Sequence, residues 1–214
     1  MIYEFRTYDI KPHSLPEVEK RFGEAYETRK KFSPLAAYWH TEIGPLNQVI
    51  HVWPYQDLEE RARIRDAAVK EGAGKWPPNT SEFMVRQRSD IFIPFDFSPE
   101  IKPGRQGPFF EMRIYTYATG QLENLTRAWA HAIPFRMQHG KPTAILYSEL
   151  GGLNQFMHIW PYKTLDERWN LRNKLRETGN WPPSAAAKKA GLPEYHLVHQ
   201  ENKILMPAAF SPLQ

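Results

Sequence analysis

The chain has no cysteine, so disulfides, thiolate nucleophiles and cysteine metal sites are excluded at once. It has no apolar run near the about 20 residues that a bilayer-spanning helix needs, so membrane insertion is not expected. Gly-rich phosphate loops, a nucleophile elbow, paired HExxH histidines and a paired-carboxylate motif are all missing, so no nucleotide, metal or other cofactor is expected. Charge of a single sign is scarce too. The net charge is only +4, and the basic residues alternate with acids in runs such as EERARIRD and DERWNLRNKLRE. Such interleaving marks solvated helix faces and argues against a nucleic-acid partner. Strand-like sequence begins at Ile2 with no signal or transit pattern, which makes a cytoplasmic location the expectation.

What the chain does have, it has twice. TEIGPLNQVIHVWPYQDLEERARIR, Thr41 to Arg65, returns 107 residues later as SELGGLNQFMHIWPYKTLDERWNLR, Ser148 to Arg172. Gly44, Leu46, Asn47, Gln48, His51, Trp53, Pro54 and Tyr55 recur as Gly151, Leu153, Asn154, Gln155, His158, Trp160, Pro161 and Tyr162. A repeat of this period is a domain, not a solenoid unit. The 214 residues therefore read as two domains, 1–100 and 108–214, joined by the Pro- and Gly-rich stretch Ile101 to Gly107.

Each copy spells the same elements. IYEFRTYDI at Ile2 and FFEMRIYTY at Phe109 alternate with a strand's two-residue period. Leu15, Val18, Phe22, Ala25, Arg29 and Phe32 follow helical spacing, as do Leu122, Leu125, Trp129, Ala132, Arg136 and His139. Ser14-x-x-Glu17 reads as a capping box for the first of these helices, and Pro134 should kink or shorten the second. Two strands around a Gly-containing turn form a hairpin that ends in His-x-Trp-Pro-Tyr. Asp57-x-x-Glu60 and Thr164-x-x-Glu167 then open a charged helix, Trp-Pro-Pro closes it, and a last strand leads to Phe-Ser-Pro. Between Trp-Pro-Pro and that strand the second copy is longer, around Ala185 to Leu192.

This order, β-α-β-β-α-β, is the ferredoxin-like arrangement and sets the fold class at α+β. Two such sheets can bury their bare faces on each other, so the expected architecture is a tandem pair packed sheet to sheet, an intramolecular dimeric α/β barrel. In the hairpin strand, Ile50 and Val52 oppose His51, Trp53 and Tyr55. Placing the apolar side under the helices sends His51, Trp53 and Tyr55, with Glu4, Arg6 and Tyr8, to the bare face between the sheets. The same holds for Glu111, Arg113, Tyr115, His158, Trp160 and Tyr162.

The GxLNQxxHxWxY strand, preceded by a first strand carrying Arg and Tyr, resembles the NIPSNAP family of the dimeric α/β-barrel superfamily over nearly the whole chain. That superfamily includes cofactor-free monooxygenases, isomerases and dehydratases, so the resemblance implies a fold more firmly than a reaction. It also implies homo-oligomers by family habit, and animal relatives suggest a non-catalytic interaction protein using its outer surface.

Two readings of the repeated polar residues stay open. In one, Glu4, Arg6 and their counterparts Glu111 and Arg113 neutralise each other in a structural network. In the other they line a small-molecule site. Arg6 and Arg113 then hold an anionic or carbonyl group, and Trp53, Tyr55, Trp160 and Tyr162 clamp a planar ligand. His51, His158, Tyr8 and Tyr115 are the candidates for moving a proton. One histidine per copy is thin ground for a heme or metal ligand. The pairs Arg61/Arg65 and Arg168/Arg172 read as solvated or matched to Glu60 and Glu167, with an anion or partner site as the lesser alternative.

Overall fold

A computed structural model describes all residues, Met1–Gln214. The first repeat runs β1 (Ile2–Ile10), α1 (Leu15–Arg29), β2 (Ala37–Ile43), β3 (Gln48–Tyr55), α2 (Leu58–Glu71) and β4 (Met84–Pro94). The second runs β5 (Phe109–Tyr117), α3 (Leu122–Met137), β6 (Ala144–Leu150), β7 (Gln155–Tyr162), α4 (Leu165–Glu177), a short α5 (Pro183–Lys189) and β8 (Leu197–Pro207). Both repeats are α+β and ferredoxin-like, as the element order implied. The strands of the first lie in the order β4-β1-β3-β2, and those of the second in the order β8-β5-β7-β6. The pairing puts Arg6 opposite His51 on β3 and opposite Ser89 on β4, while Tyr38 of β2 also faces His51. Directly opposed residues share a sheet face. Arg6, Tyr38, His51 and Ser89 therefore stand in one row.

That row lies under the helices, which corrects the expected facing. Phe22 of α1 packs on the His51 ring at 4.9 Å, and Val18, Phe22 and Tyr26 form one core with Val49, Trp53 and Tyr55. The apolar side chains Phe5, Ile50 and Val52 are equally buried, on the face turned away from α1. Alternation separates the two faces of a strand. It cannot say which one meets the helices when both are buried. The clue lay in α2, whose only buried residues are Ile64 and Ala68. A helix with so little apolar surface can cover a sheet only where that sheet offers it polar partners.

Local signals fared unevenly. Asp57 and Thr164 cap their helices, accepting from the backbone N–H groups of Glu60 at 2.8 Å and Glu167 at 3.0 Å. Glu60 and Glu167 reach back to the N–H groups of Gln56 and Lys163. Replacing Asp57 by Ala should lower stability by about 1 kcal/mol in urea unfolding, the usual worth of such a cap. No change would show that α2 is held by its arginines alone. Ser14 does not cap α1; its hydroxyl turns back and donates to the Lys11 carbonyl at 2.6 Å. Pro134 does not shorten α3, which runs 16 residues against 15 in α1. The ring sits on the exposed side, while Ala132, Ile133 and Arg136 hold the buried side in place.

Part of the repeated signature is turn chemistry. Asn47 and Asn154 have φ of 54° and 55°, a left-handed conformation that asparagine tolerates better than other side-chain-bearing residues. Their carbonyls accept from the N–H groups of Ile10 and Tyr117, tying each hairpin turn to the end of the first strand.

The two compact units do not coincide with the two repeats. One comprises Met1–Ile93, Lys102–Arg105 and Leu205–Gln214; the other comprises Pro94–Ile101 and Gln106–Ile204. In the first, Phe210 stacks on Phe22 at 5.8 Å, and the Ser211 hydroxyl accepts from the Tyr38 N–H. In the second, Phe95 packs against Tyr147 and Phe156, and the Ser98 hydroxyl accepts from the Ile145 N–H. The Phe-Ser-Pro ends are exchanged.

Candidate functional site

In the first unit the site begins with Glu4, which has no solvent exposure. One of its oxygens accepts from Arg6 at 3.0 Å, Arg61 at 2.6 Å and Ser89 at 2.7 Å, while Arg65 stands 3.8 Å from the other. Burial pushes this carboxyl up. The hydrogen bonds from Arg61 and Ser89 and the charges of Arg6 and Arg65 outweigh burial and hold it down at about 2. Arg6 also donates through Nε to the Tyr8 hydroxyl at 2.6 Å.

Next along the sheet is His51. The Trp53 indole donates to its Nδ1 at 2.7 Å, while its Nε2 is buried with no partner. Burial, then the nearby Arg6 charge, holds the imidazole well below its ordinary pKa, so it is neutral at pH 7. Over the Trp53 ring, at 4.3 Å, lies the guanidinium of Arg29, which is only 2% exposed. Its hydrogen-bond partners are all neutral: Ser33 and the Tyr55 hydroxyl. Desolvation lowers its pKa, which is the expected mark of a buried cation without a counter-ion.

These groups border a cavity of about 510 Å³ between the sheet and the helices, within the size range of ordinary small-molecule sites. Arg6, Tyr8, His51, Trp53 and Tyr55 all line it, as do Arg29 and Arg65. Trp76 and Pro77, whose connecting bond is cis, form a wall. Of the residues singled out in this repeat, only Glu4 stands behind the lining. The cluster holds four guanidiniums (Arg6, Arg29, Arg61 and Arg65) around one carboxylate, so its charge is strongly positive.

The second unit reproduces the bonds. Glu111 accepts from Arg113 and Arg168, Arg113 donates to Tyr115, and the Trp160 indole donates to His158 Nδ1 at 2.6 Å. Arg136 lies 4.0 Å over Trp160, as Arg29 lies over Trp53, and Tyr162 accepts a hydrogen bond from it. What differs is the filling. Trp129 replaces Phe22 and packs on His158 at 4.8 Å, and Phe156 replaces Val49. The longer segment forms α5, with Ala186 and Ala187 buried. It brings in Tyr195, which is hydrogen-bonded to Trp129 and pushed by burial to about 12.

Sequence reasoning left Arg29 and Arg136 out of the site, and gave Arg61, Arg65, Arg168 and Arg172 an anion- or partner-binding role only as the lesser alternative. All six recur between the copies, which was the available signal. The i, i+4 pair Arg61/Arg65 turns towards Glu4, Arg61 hydrogen-bonded to it and Arg65 partly exposed beside it.

The fold and this duplicated cluster define a tandem α+β protein built of two ferredoxin-like repeats. The NIPSNAP family model matches residues 3–99 and 110–212, and the chain belongs to that family. The human protein NipSnap homolog 3B is 29% identical over 99% of this chain and 85% of its own length. The NipSnap homolog of Dictyostelium discoideum is 26% identical over 96% of this chain and 87% of its own. Among solved structures, a putative monooxygenase from Fusobacterium nucleatum matches with a TM-score of 0.65 and 10% identity, over 97% of this chain and 92% of that one. One from Lactobacillus acidophilus gives 0.62 and 12%, over 97% and 94%. At such identities the likeness is one of fold. No helix is long and apolar enough to cross a membrane.

Proposed function

We propose that the protein binds a small molecule with a carboxylate or similar anionic group on a flat apolar body, in the cavity of the first unit. The observation that carries this reading is Arg29, a buried guanidinium on the cavity wall with no carboxylate beside it. A bound anion would supply the missing charge. Trp53 and Trp76 offer faces for a planar body, and Arg65 gives a second cation at the rim. In the second unit the larger Trp129 stands in place of Phe22 against His158, with Tyr195 hydrogen-bonded to it, so the first unit is expected to bind the molecule more tightly.

Isothermal calorimetry with benzoate, 4-acetylbenzoate and the uncharged benzamide tests this. The two carboxylates should bind, and benzamide more weakly by roughly tenfold or more. Arg65→Met should cost the carboxylates a similar factor while leaving the melting temperature near that of the wild type, because Arg65 is half exposed. Carboxylate and amide binding alike, or neither binding, would end this reading. The second outcome would favour an interaction protein using its outer surface.

A further inference from the structure

We infer that the ligand carries, about one aromatic ring away from its anionic group, a carbonyl-type oxygen that accepts hydrogen bonds from both His51 Nε2–H and the Tyr8 hydroxyl. This rests on the anionic-ligand reading above and extends it to the other end of the molecule.

The argument starts from donors and acceptors. An indole N–H can only donate. Trp53 donates to Nδ1 of His51, so that nitrogen must present its lone pair, and in the neutral ring the proton is placed on Nε2. Nε2 is therefore a donor. It is also buried without a partner, on a ring that lines the cavity. A buried donor left unpaired loses its bond to water and gains nothing, a deficit that a ligand acceptor would remove. Such a ring is no general base at Nε2, because the lone pair needed is on the other nitrogen and already engaged.

Tyr8 supplies the second donor. Its oxygen accepts from Arg6 Nε, which leaves its own proton free, and its ring meets the His51 ring edge-on at 4.9 Å. Donors on two rings this close, both lining the same cavity, can serve one oxygen with two lone pairs. A carbonyl provides that; an amine, a methyl group or an aromatic edge does not. The distance from the anion end follows from the strand. The imidazole centre is 5.9 Å from the Trp53 ring, over which Arg29 lies at 4.3 Å. A flat molecule spanning Arg29 to His51 is then about the length of a para-substituted benzoate. The second unit keeps the same donor, with His158 Nε2 unpartnered, but Trp129 lies against that ring.

Two measurements on the wild-type protein test this without relying on a variant that folds. In the long-range ¹H–¹⁵N spectrum of the free protein, the His51 proton should sit on Nε2; a proton on Nδ1 overturns the inference. Then 4-acetylbenzoate is compared with its isostere 4-isopropenylbenzoate, which has a CH₂ where the acetyl has oxygen. The acetyl compound should bind roughly tenfold tighter. Tyr8→Phe should narrow that gap without lowering affinity for the isopropenyl compound. Equal binding of the two overturns the inference while leaving the anionic reading intact. If neither binds, both fall together.

Discussion

Glu4→Ala should lower stability by about 3–5 kcal/mol, the usual effect of removing one partner from a buried charge network. Arg6 and Arg61 are hydrogen-bonded to this one carboxylate, and Arg65 stands close by. Without it three guanidiniums are left together under α2, and the Ser89 hydroxyl loses its acceptor. For a protein of this size the loss corresponds to a fall in melting temperature of roughly 10 °C. Glu111→Ala should do the same through Arg113, Arg168 and Arg172. Glu4→Gln keeps one acceptor oxygen and should fall less. A Glu4→Ala protein that melts with the wild type would show that the arginines swing out to water, and that Glu4 does not fix the floor of the cavity.

Stability should also fall in two steps as the solution is acidified. His51 and His158 are both held well below the ordinary histidine value of 6.5, first by burial and then by nearby arginines. Below pH 6.5 the unfolded chain takes up protons that these folded imidazoles refuse. The stability they contribute is complete above 6.5 and drains away as pH drops towards their folded values. Glu4 gives the second step. Its pKa is 4.5 unfolded and about 2 folded, so its contribution is whole above 4.5 and disappears towards 2. For Glu4 alone the shift is worth about 3 kcal/mol. Melting temperatures from pH 8 to pH 3 should therefore be level at first, decline below 6.5 and drop more steeply below 4.5. A His51→Gln/His158→Gln protein should lose the upper decline and keep the lower one. A wild-type curve flat down to pH 5 would mean that the histidines are not buried neutral.

The repeat, the element order and the hairpin turn were all legible in the sequence, because each leaves a periodic or chemical mark in one stretch of chain. Gly44, Asn47 and the two-residue alternation of β3 are of that kind. Of the candidate residues read from the sequence, Arg6, Tyr8, His51 and Trp53 line one cavity. Which side of the sheet they occupy was not legible. Ile50 and Val52 look more like core than His51 and Trp53 do, and both sets are buried. Only the partners across space, Phe22 above His51 and Arg61 above Glu4, decide the matter. Arg29 was hidden for a related reason. On α1 it falls at a buried position of the helical period, but the period says nothing of what its guanidinium meets. Its stacking on Trp53 belongs to tertiary structure alone.

The exchanged Phe-Ser-Pro ends bear on how the chain is made. A ribosome delivers β1 long before Leu205–Gln214, yet both belong to the same compact unit. At about 5–20 residues per second, roughly 10–40 s of synthesis separate them. Until the end arrives, Phe22 lacks Phe210, and the Tyr38 N–H lacks Ser211. The usual sequence of events, in which the N-terminal part folds while the rest is still being made, is blocked for the half that holds the cavity. The second unit, whose borrowed segment Pro94–Ile101 precedes it, is complete from the moment Ile204 emerges. Translation order thus favours completing the second unit first and the first unit last, so a truncated or stalled product would display the unit with the Arg29 cavity unfinished.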